Sequence, residues 1–237
     1  MQLESTDTGI IAWCEPLAQQ LTPAQFQADY WQQQNAIIGQ SKGRYTTWFV
    51  ENNHQRWVLR HYWRGGFMAK LSDDAYVFTG MSRTRAIAEL ALLEKLFDEG
   101  FPVPRPIAAN VERFGIWYRA DLIIELIDGA KDLVAYLSTA AMSDNQWQQL
   151  GSLIARFHNR GVYHADLNAK NILLAEAQFY LIDFDRGVIK TPAKQWQQAN
   201  LSRLLRSFNK EQAKLPTLNF NESNWQQLLY GYQQAIN

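Results

Sequence analysis

The chain has 237 residues, of which 47% are hydrophobic and 13% aromatic, so it has the apolar content of a folded protein and not of a disordered one. The 23 basic and 23 acidic residues cancel, which argues against a protein that binds nucleic acid through a general basic excess. The single cysteine, Cys14, excludes a disulfide framework and a cysteine-based zinc site.

The N-terminal half is predicted to consist of strands and one main helix. A short helix is predicted to begin at Thr22, because the proline that follows is suited to the first helical turn. Residues 36–50 and 56–63 are rich in aromatic and branched side chains, which predicts strands. The main helix is predicted to begin at the cap Ser82 and to end at Gly100. The residues expected on its inner face are Ala86, Ile87, Leu90, Leu93, Leu96 and Phe97.

The middle of the chain is predicted to be extended. Three prolines in 101–106 keep that segment out of the helical region, because a residue before proline avoids it. Strand-like runs follow at 114–119 and 121–127. We place a lobe boundary after the second run, so that the N-terminal lobe spans 1–127 and the C-terminal lobe 128–237.

The C-terminal half is predicted to be mostly helical. Ser143 caps a helix that Gly161 ends, and residues 171–174 and 178–184 form a β-hairpin. This order of elements predicts an α+β fold with a β-rich N-terminal lobe, a short helical C-terminal lobe and a cleft between them. Two further helices are predicted, at 193–209 and 222–236.

One segment carries the chemistry. Residues 164–171 read His-Ala-Asp-Leu-Asn-Ala-Lys-Asn, which fits H-x-D-L-x-x-x-N, and an apolar run ends at Asp183, twelve residues after Asn171. This spacing resembles the catalytic loop and metal-binding turn of the protein-kinase-like superfamily. Phosphoryl transfer needs a carboxylate beside the acceptor hydroxyl, and Asp166 has that place. Mg²⁺ bound to ATP takes amide and carboxylate oxygens, here Asn171 and Asp183, with Asp185 as a second carboxylate candidate.

Two other side chains of this motif complete the candidate catalytic set. His164 is expected to support the loop and not to react. Lys170 precedes the asparagine of the motif, and two interpretations remain open for it. It either reaches the transferred phosphate or is an ordinary solvated lysine.

The N-terminal half should supply the contacts to the nucleotide. Gly39 and Gly43 lie between strand-like runs, and glycines permit the backbone to approach phosphates closely. A plain hairpin turn is the alternative for this segment. Glu125 and Ile127 lie in the run that matches the kinase hinge, where backbone groups bind adenine.

A basic anchor and its acidic partner are also expected there. Arg60 stands where a kinase carries the lysine of its V-A-I-K motif, and a guanidinium can fork onto phosphate oxygens in the same way. Lys70 is the alternative anchor. Glu89 on the main helix is the preferred partner, and Glu94 is the second choice because it lies roughly on the other side of the helix.

Five segments together resemble one bacterial enzyme family. They are Arg60-His-Tyr-Trp-Arg-Gly-Gly66, Glu89-x-x-Leu-Leu93, Gly100-Phe-Pro-Val-Pro-Arg-Pro106, His164-x-Asp-Leu-Asn-x-x-Asn171 and Ile182-Asp-Phe-Asp-Arg-Gly187. The pattern is similar to the Kdo kinases (Kdo is 3-deoxy-D-manno-octulosonic acid) and covers about residues 35–210. The resemblance implies transfer of the ATP γ-phosphate to the 4-hydroxyl of Kdo on a Kdo-lipid A precursor. It also implies a peripheral protein at the cytoplasmic face of the bacterial inner membrane.

The acceptor class is supported by what the chain lacks. Only 54 residues follow Asp183, and no A-P-E motif occurs among them, which argues against the docking platform of a protein kinase. Two blocks without acidic residues, 52–72 and 186–210, fit an anionic glycolipid or membrane surface, or else are ordinary solvated faces. We expect no nucleic-acid ligand and no obligate protein partner.

Three alternatives to a Kdo kinase remain at this point. The chain could phosphorylate another small acceptor, such as a heptose or an aminoglycoside-like alcohol. It could be a non-catalytic pseudokinase, against which the intact motif argues, or it could bind nucleic acid through residues 186–210. No run approaches 18 apolar residues and the N-terminus does not look like a signal peptide, so a protein facing the cytosol is expected.

Overall fold

The structure is a computed structural model, and the chain in it divides into two compact units. The residues that it describes are 1–14, 20–42, 46–64 and 74–237. Unit 1 comprises Met1–Gly100 and Pro104–Leu126, and unit 2 comprises Phe101–Val103 and Ile127–Asn237.

Unit 1 is built on an antiparallel sheet. The strands are β1 (Gln2–Ser5), β2 (Gly9–Trp13), β3 (Ile37–Lys42), β4 (Thr46–Asn52), β5 (Gln55–His61), β6 (Tyr76–Val77), β7 (Pro106–Phe114) and β8 (Trp117–Glu125). Their order in the sheet is β1-β2-β7-β8-β5-β4-β3, and β6 also pairs with β8. The helices are α1 (Ala28–Gln33) and α2 (Arg85–Asp98), with short 3₁₀ turns at Pro23–Phe26 and Met81–Arg83.

Helix α1 brings Trp31 into the apolar core of unit 1. The Trp31 ring meets Trp57 of β5 edge to face, with the ring centroids 5.9 Å apart, and its indole N–H donates to the Gln25 carbonyl oxygen at 2.7 Å. Thr22 precedes the 3₁₀ turn, as its sequence signature predicts, and the α-helix follows from residue 28.

Helix α2 packs against β7 and β8 through its apolar face. It ends as predicted, because Gly100 takes the left-handed φ of +72°. The predicted start was wrong, since Thr84 and not Ser82 is the N-cap residue, and Ser82 lies in the preceding 3₁₀ turn. The prediction was also wrong for Phe97, which is 41% exposed.

The hairpin of β7 and β8 corrects the predicted strands at 114–119 and 121–127. Phe114 pairs with Trp117 across a two-residue turn in which Gly115 has a φ of +60°. Strand β7 was missed because polar residues interrupt its apolar pattern. One of them, Asn110, is buried and donates to Asp121 Oδ2 at 3.3 Å, so the sheet satisfies it internally.

Unit 2 is mostly helical, as predicted. Ser143 caps the first long helix in a capping box with Gln146, and Gly161 follows that helix with a φ of +84°. The strands are β9 (Lys131–Asp132), β10 (Val162–Tyr163), β11 (Ile172–Ala175), β12 (Gln178–Leu181) and β13 (Val188–Ile189). The helices are α3 (Leu133–Leu137), α4 (Asp144–Asn159), α5 (Lys194–Lys214) and α6 (Glu222–Ala235), with a 3₁₀ turn at Ala169–Asn171.

Helices α4 and α6 cross at two glycines. A Cβ atom on Gly151 of α4 would overlap with the Leu228 carbonyl oxygen, and one on Gly231 of α6 would overlap with the Gln148 carbonyl oxygen. The two backbones therefore meet directly at this crossing. In the part of the chain that the structure describes, every helix is too short or too polar to span a lipid bilayer.

The same crossing buries a histidine. His158 of α4 is 2% exposed, and its Nδ1 lies 2.9 Å from the Tyr232 hydroxyl of α6. Burial lowers the pKa of His158 to about 4 and raises the pKa of Tyr232 to about 12, so the hydroxyl donates to a neutral imidazole.

This histidine should make the protein less stable in acid. The folded-state pKa lies below the unfolded value of about 6.5, so the stabilisation is complete above pH 6.5 and is lost as the pH falls towards 4. Urea unfolding should show that the free energy of unfolding of the wild type falls by about 2 kcal/mol more between pH 7 and pH 5 than that of His158→Gln. The exposed His54→Gln is the control and should keep the wild-type slope. An unchanged slope in His158→Gln would refute this account.

Candidate active site

The candidate catalytic loop of unit 2 is closed by the side chain of Asn168. Its Oδ1 accepts the backbone N–H groups of Lys170 and Asn171 at 2.9 and 3.2 Å, which caps the 3₁₀ turn. Its Nδ2 donates to the Asp166 carbonyl oxygen at 3.0 Å and to Asp166 Oδ2 at 3.2 Å. One asparagine therefore shapes the loop and also holds the carboxylate of Asp166.

The buried side chain of His164 supports this loop through two hydrogen bonds with backbone groups. It is 2% exposed, its Nδ1 accepts the Asp166 N–H at 3.2 Å, and its Nε2 donates to the Ile182 carbonyl oxygen at 3.0 Å. Burial lowers its pKa, so the ring is neutral, with the proton on Nε2. Both ring nitrogens are hydrogen-bonded to backbone groups, so His164 supports the loop and neither nitrogen is available for the reaction.

Asp166 is oriented and accessible. Arg203 Nη1 of α5 lies 2.5 Å from its Oδ1, while Asn168 contacts Oδ2, and the carboxylate is 49% exposed. Each carboxylate oxygen can accept more than one hydrogen bond, so an incoming hydroxyl can still bind. This arrangement suits a general base.

Asn171 and Asp183 have donor atoms that fit a hard cation. Asn171 Nδ2 donates to the Asp166 carbonyl oxygen at 3.0 Å, so its amide oxygen points away from the loop backbone. The Asn171 carbonyl oxygen also accepts the Ile182 N–H at 3.0 Å, so the loop is hydrogen-bonded to the residue that directly follows β12. Asp183 then has a φ of +63°, a left-handed conformation that is uncommon for a non-glycine residue. Amide and carboxylate oxygens are the ligands that Mg²⁺ takes.

The second carboxylate candidate, Asp185, lies in the turn after Asp183. Its Oδ2 is 3.8 Å from Arg186 Nε. Within the described ranges, no three His, Cys, Asp or Glu side chains converge in a way that could hold a metal ion. Asn171, Asp183 and Asp185 offer one amide and two carboxylate groups, the donor chemistry that Mg²⁺ takes.

Lys170 is directed to a different partner. Its Nζ lies 3.8 Å from Glu211 Oε2 on α5, and the side chain is 57% exposed. The structure therefore does not bring Lys170 to the carboxylate of Asp166, and the cation beside that carboxylate is Arg203.

In unit 1 the structure brings together Arg60 of β5 and Glu89 of α2. Arg60 Nη2 lies 2.5 Å from Glu89 Oε2, and the same oxygen accepts the Tyr62 hydroxyl at 2.5 Å. The glutamate side chain is 1% exposed, so this is a buried charge that its partners must satisfy. Glu94, the second choice, lies 2.5 Å from the N-terminal amine of Met1 instead.

The remaining nucleotide candidates are placed as follows. Gly39 lies within β3 opposite Phe49, where an added Cβ would be 3.2 Å from that ring, and not in the connecting segment. The Glu125 N–H donates to the Arg105 carbonyl oxygen at 2.9 Å, and the Ile127 carbonyl oxygen accepts the Ala130 N–H at 3.3 Å. Two predicted residues, Gly43 and Lys70, lie outside the described residues.

Comparison with known proteins gives the family. The model of the lipopolysaccharide kinase (Kdo/WaaP) family matches residues 28–232. The chain belongs to this family. It is 47% identical to a 3-deoxy-D-manno-octulosonic acid kinase of Photobacterium profundum over 223 residues, 93% of this chain and 94% of the relative. It is 46% identical to the enzyme of that name from Mannheimia succiniciproducens over 216 residues, 88% of this chain and 89% of the relative.

The fold prediction is confirmed by the same comparisons. A solved structure of WaaP in complex with acyl carrier protein matches with a TM-score of 0.55, over 85% of this chain and 80% of that chain, at 13% identity. That identity is low enough that the match speaks for the α+β, kinase-like fold alone. Membership of the lipopolysaccharide kinase family also confirms the predicted enzyme class, a phosphotransferase that acts on a hydroxyl group.

Three residues that the structure places in this candidate site were not predicted as site residues. Asn168 lies at a variable position of the motif, and Arg203 appeared only as one charge of a basic block. Ser207, whose hydroxyl oxygen accepts the Ala169 N–H at 3.1 Å, carried no signal at all. The helical spacing of α5 could have shown that the last two share a face, but not which loop that face meets.

Proposed function

We propose that this protein transfers the γ-phosphate of ATP to the 4-hydroxyl of the Kdo residue on a Kdo-lipid A precursor, in the synthesis of lipopolysaccharide. The observation that carries this proposal is the half-exposed Asp166, fixed from both sides in an H-x-D-L-x-x-x-N loop. The substrate is supported by relatives named 3-deoxy-D-manno-octulosonic acid kinase that align along most of the chain.

Asp166 acts as the base in this proposal. The acceptor oxygen forms a bond to the γ-phosphorus while the bond from that phosphorus to the β,γ-bridging oxygen breaks, and ADP is the leaving group. The hydroxyl proton goes to the carboxylate of Asp166. Asn168 and Arg203 hold that carboxylate and His164 holds the backbone N–H of the same residue, so little reorganisation is needed at the moment of transfer.

Asn171 and Asp183 would hold Mg²⁺, and Asp185 is the second carboxylate that could contribute. A bound Mg²⁺ ion supplies neutralisation of the phosphate oxygens. The contribution of the chain is to orient the amide oxygen of Asn171 and to hold the backbone of Asp183 in its unusual conformation before the ion binds.

Arg60 binds the ATP phosphates, and Glu89 keeps its guanidinium in place. An arginine can fork onto two phosphate oxygens, so it can replace the lysine that kinases carry. The buried Glu89 carboxylate fixes the Arg60 side chain from one side, and the Tyr62 hydroxyl fixes the carboxylate in turn.

The experiment that tests this function uses the purified protein with ATP, Mg²⁺ and a Kdo-lipid A precursor. Mass spectrometry should show a product heavier by one phosphate, and fragmentation should place that phosphate on the 4-position of Kdo. Transfer to a heptose acceptor but not to Kdo would favour another kinase of the same family. A complete lack of transfer, with ATP bound, would favour the pseudokinase alternative.

Glu89→Gln should weaken ATP binding without unfolding the protein. The amide can still accept the Tyr62 hydrogen bond, but it no longer holds Arg60 by charge, so we expect an increase of about tenfold in KM for ATP. Glu94→Gln on the same helix is the matched control and should leave this KM unchanged. If both variants behave like the wild type, Arg60 and Glu89 do not form the nucleotide anchor.

We also propose that the protein is peripheral to the cytoplasmic face of the inner membrane. The exposed cations Arg206 and Lys210 of α5 belong to a block, 186–210, that contains no acidic residue. Basic residues near an anionic bilayer gain about 1 kcal/mol each. Flotation with vesicles that contain anionic phospholipid should recover the protein at low salt and lose it at high salt. Equal recovery with neutral vesicles would count against this location.

A further inference from the structure

One face of helix α5 contacts the catalytic loop at four successive points. The spacing of three, four and four residues places these side chains on one stripe of the helix. The four pairs are Asn200 Nδ2 with the His164 carbonyl oxygen at 3.0 Å, Arg203 Nη1 with Asp166 Oδ1 at 2.5 Å, Ser207 Oγ with the Ala169 N–H at 3.1 Å, and Glu211 Oε2 with Lys170 Nζ at 3.8 Å.

Arg203 differs from the other three members of this stripe. Asn200 and Ser207 meet backbone groups, and Glu211 meets a lysine that is directed away from the carboxylate. Arg203 alone touches the group that we assign as the base, and its side chain is 48% exposed. Its guanidinium has five N–H donors, and the single contact with Asp166 does not exhaust them.

We propose that Arg203 binds the carboxylate of the sugar acid and thereby selects the acceptor. This rests on the proposed function, since it assumes that the acceptor is Kdo. In Kdo the carboxylate carbon C1 and the reacting carbon C4 are separated by C2 and C3 only. A sugar acid whose 4-hydroxyl meets Asp166 therefore brings its carboxylate close to the guanidinium that lies 2.5 Å from the same aspartate. A guanidinium and a carboxylate form a bidentate pair.

The test is a double-mutant cycle that combines a substitution at Arg203 with replacement of the acceptor carboxylate by a neutral amide. Wild-type and Arg203→Gln proteins are each assayed with a Kdo-lipid A precursor and with its analogue in which the carboxylate is a primary amide. On the carboxylate acceptor we expect Arg203→Gln to lose about 100-fold in kcat/KM, mostly through the acceptor KM. On the amide acceptor the two proteins should agree within about threefold. Arg203→Lys should fall in between, because it keeps the charge but not the fork.

An equal loss on both acceptors would overturn the inference, because Arg203 would then act only on Asp166 or on the phosphoryl group. Arg83→Gln, an exposed arginine of the 3₁₀ turn before α2, controls for the loss of one positive charge and should match the wild type. Thermal melting of each variant shows that it is folded. If the wild type transfers phosphate to neither Kdo acceptor, the proposed function is wrong and the inference with it. If the wild type transfers phosphate to both acceptors but Arg203→Gln lowers kcat/KM by the same factor on each, only the inference is wrong.

Discussion

Asp166→Asn should lower kcat by about 1000-fold and leave the protein folded. The amide has the shape of the carboxylate, and its oxygen can still accept from Arg203. The contacts of His164 and Asn168 with the backbone of residue 166 do not use the side chain, so the loop should persist. What is lost is the group that takes the hydroxyl proton. Single-turnover transfer to the Kdo acceptor measures this step without the contribution of product release.

The matched control is Asp144→Asn, which removes an exposed carboxylate from the first turn of α4 in the same unit. It should retain the wild-type kcat. Circular dichroism and ATP binding should be the same for both variants and the wild type. An Asp166→Asn protein that keeps more than about a tenth of the wild-type kcat would refute the assignment of the base, since a positioned base contributes at least about 100-fold.

Gly151→Ala should destabilise the protein by about 3 kcal/mol. An alanine in the middle of a helix normally gains about 1 kcal/mol over glycine. Here the new methyl group would overlap with the Leu228 carbonyl oxygen and lie 2.7 Å from the Tyr232 nitrogen, both in the backbone of α6. A backbone cannot change rotamer to escape, so the two helices must separate, and the crossing that holds His158 loses its packing.

Differential scanning calorimetry should show the unfolding midpoint of Gly151→Ala lowered by about 10 °C. Gln149→Ala, at an exposed position of the same helix, adds helix propensity without the clash and should be neutral or slightly stabilising. If Gly151→Ala matched the Gln149→Ala control, helix propensity would outweigh the contact, and the direct crossing of the two backbones would be wrong.

The sequence predicted helix ends correctly where interactions between residues close together in the chain determine them. Ser143 and Gly161 bracket α4 because capping and a left-handed residue act within one turn of helix. The capping interpretation failed at Ser82, because Thr84 two residues later also meets the requirement and only the turn before α2 decides between them. The β7–β8 hairpin was shifted for a related reason, since the buried polar Asn110 made a strand look like a loop.

The sequence by itself determined the chemistry of this protein. The motif from His164 to Asn171, with Asp183 twelve residues later, identifies a kinase-like phosphotransferase, because each of these residue types is needed at a fixed distance along the chain. Only the tertiary structure decided which cation stands beside Asp166. Lys170 is four residues away in sequence yet is directed to Glu211, whereas Arg203 is 37 residues away and lies 2.5 Å from the carboxylate. The reason is that α5 crosses the loop, and contacts between distant segments depend on packing, which sequence spacing does not encode.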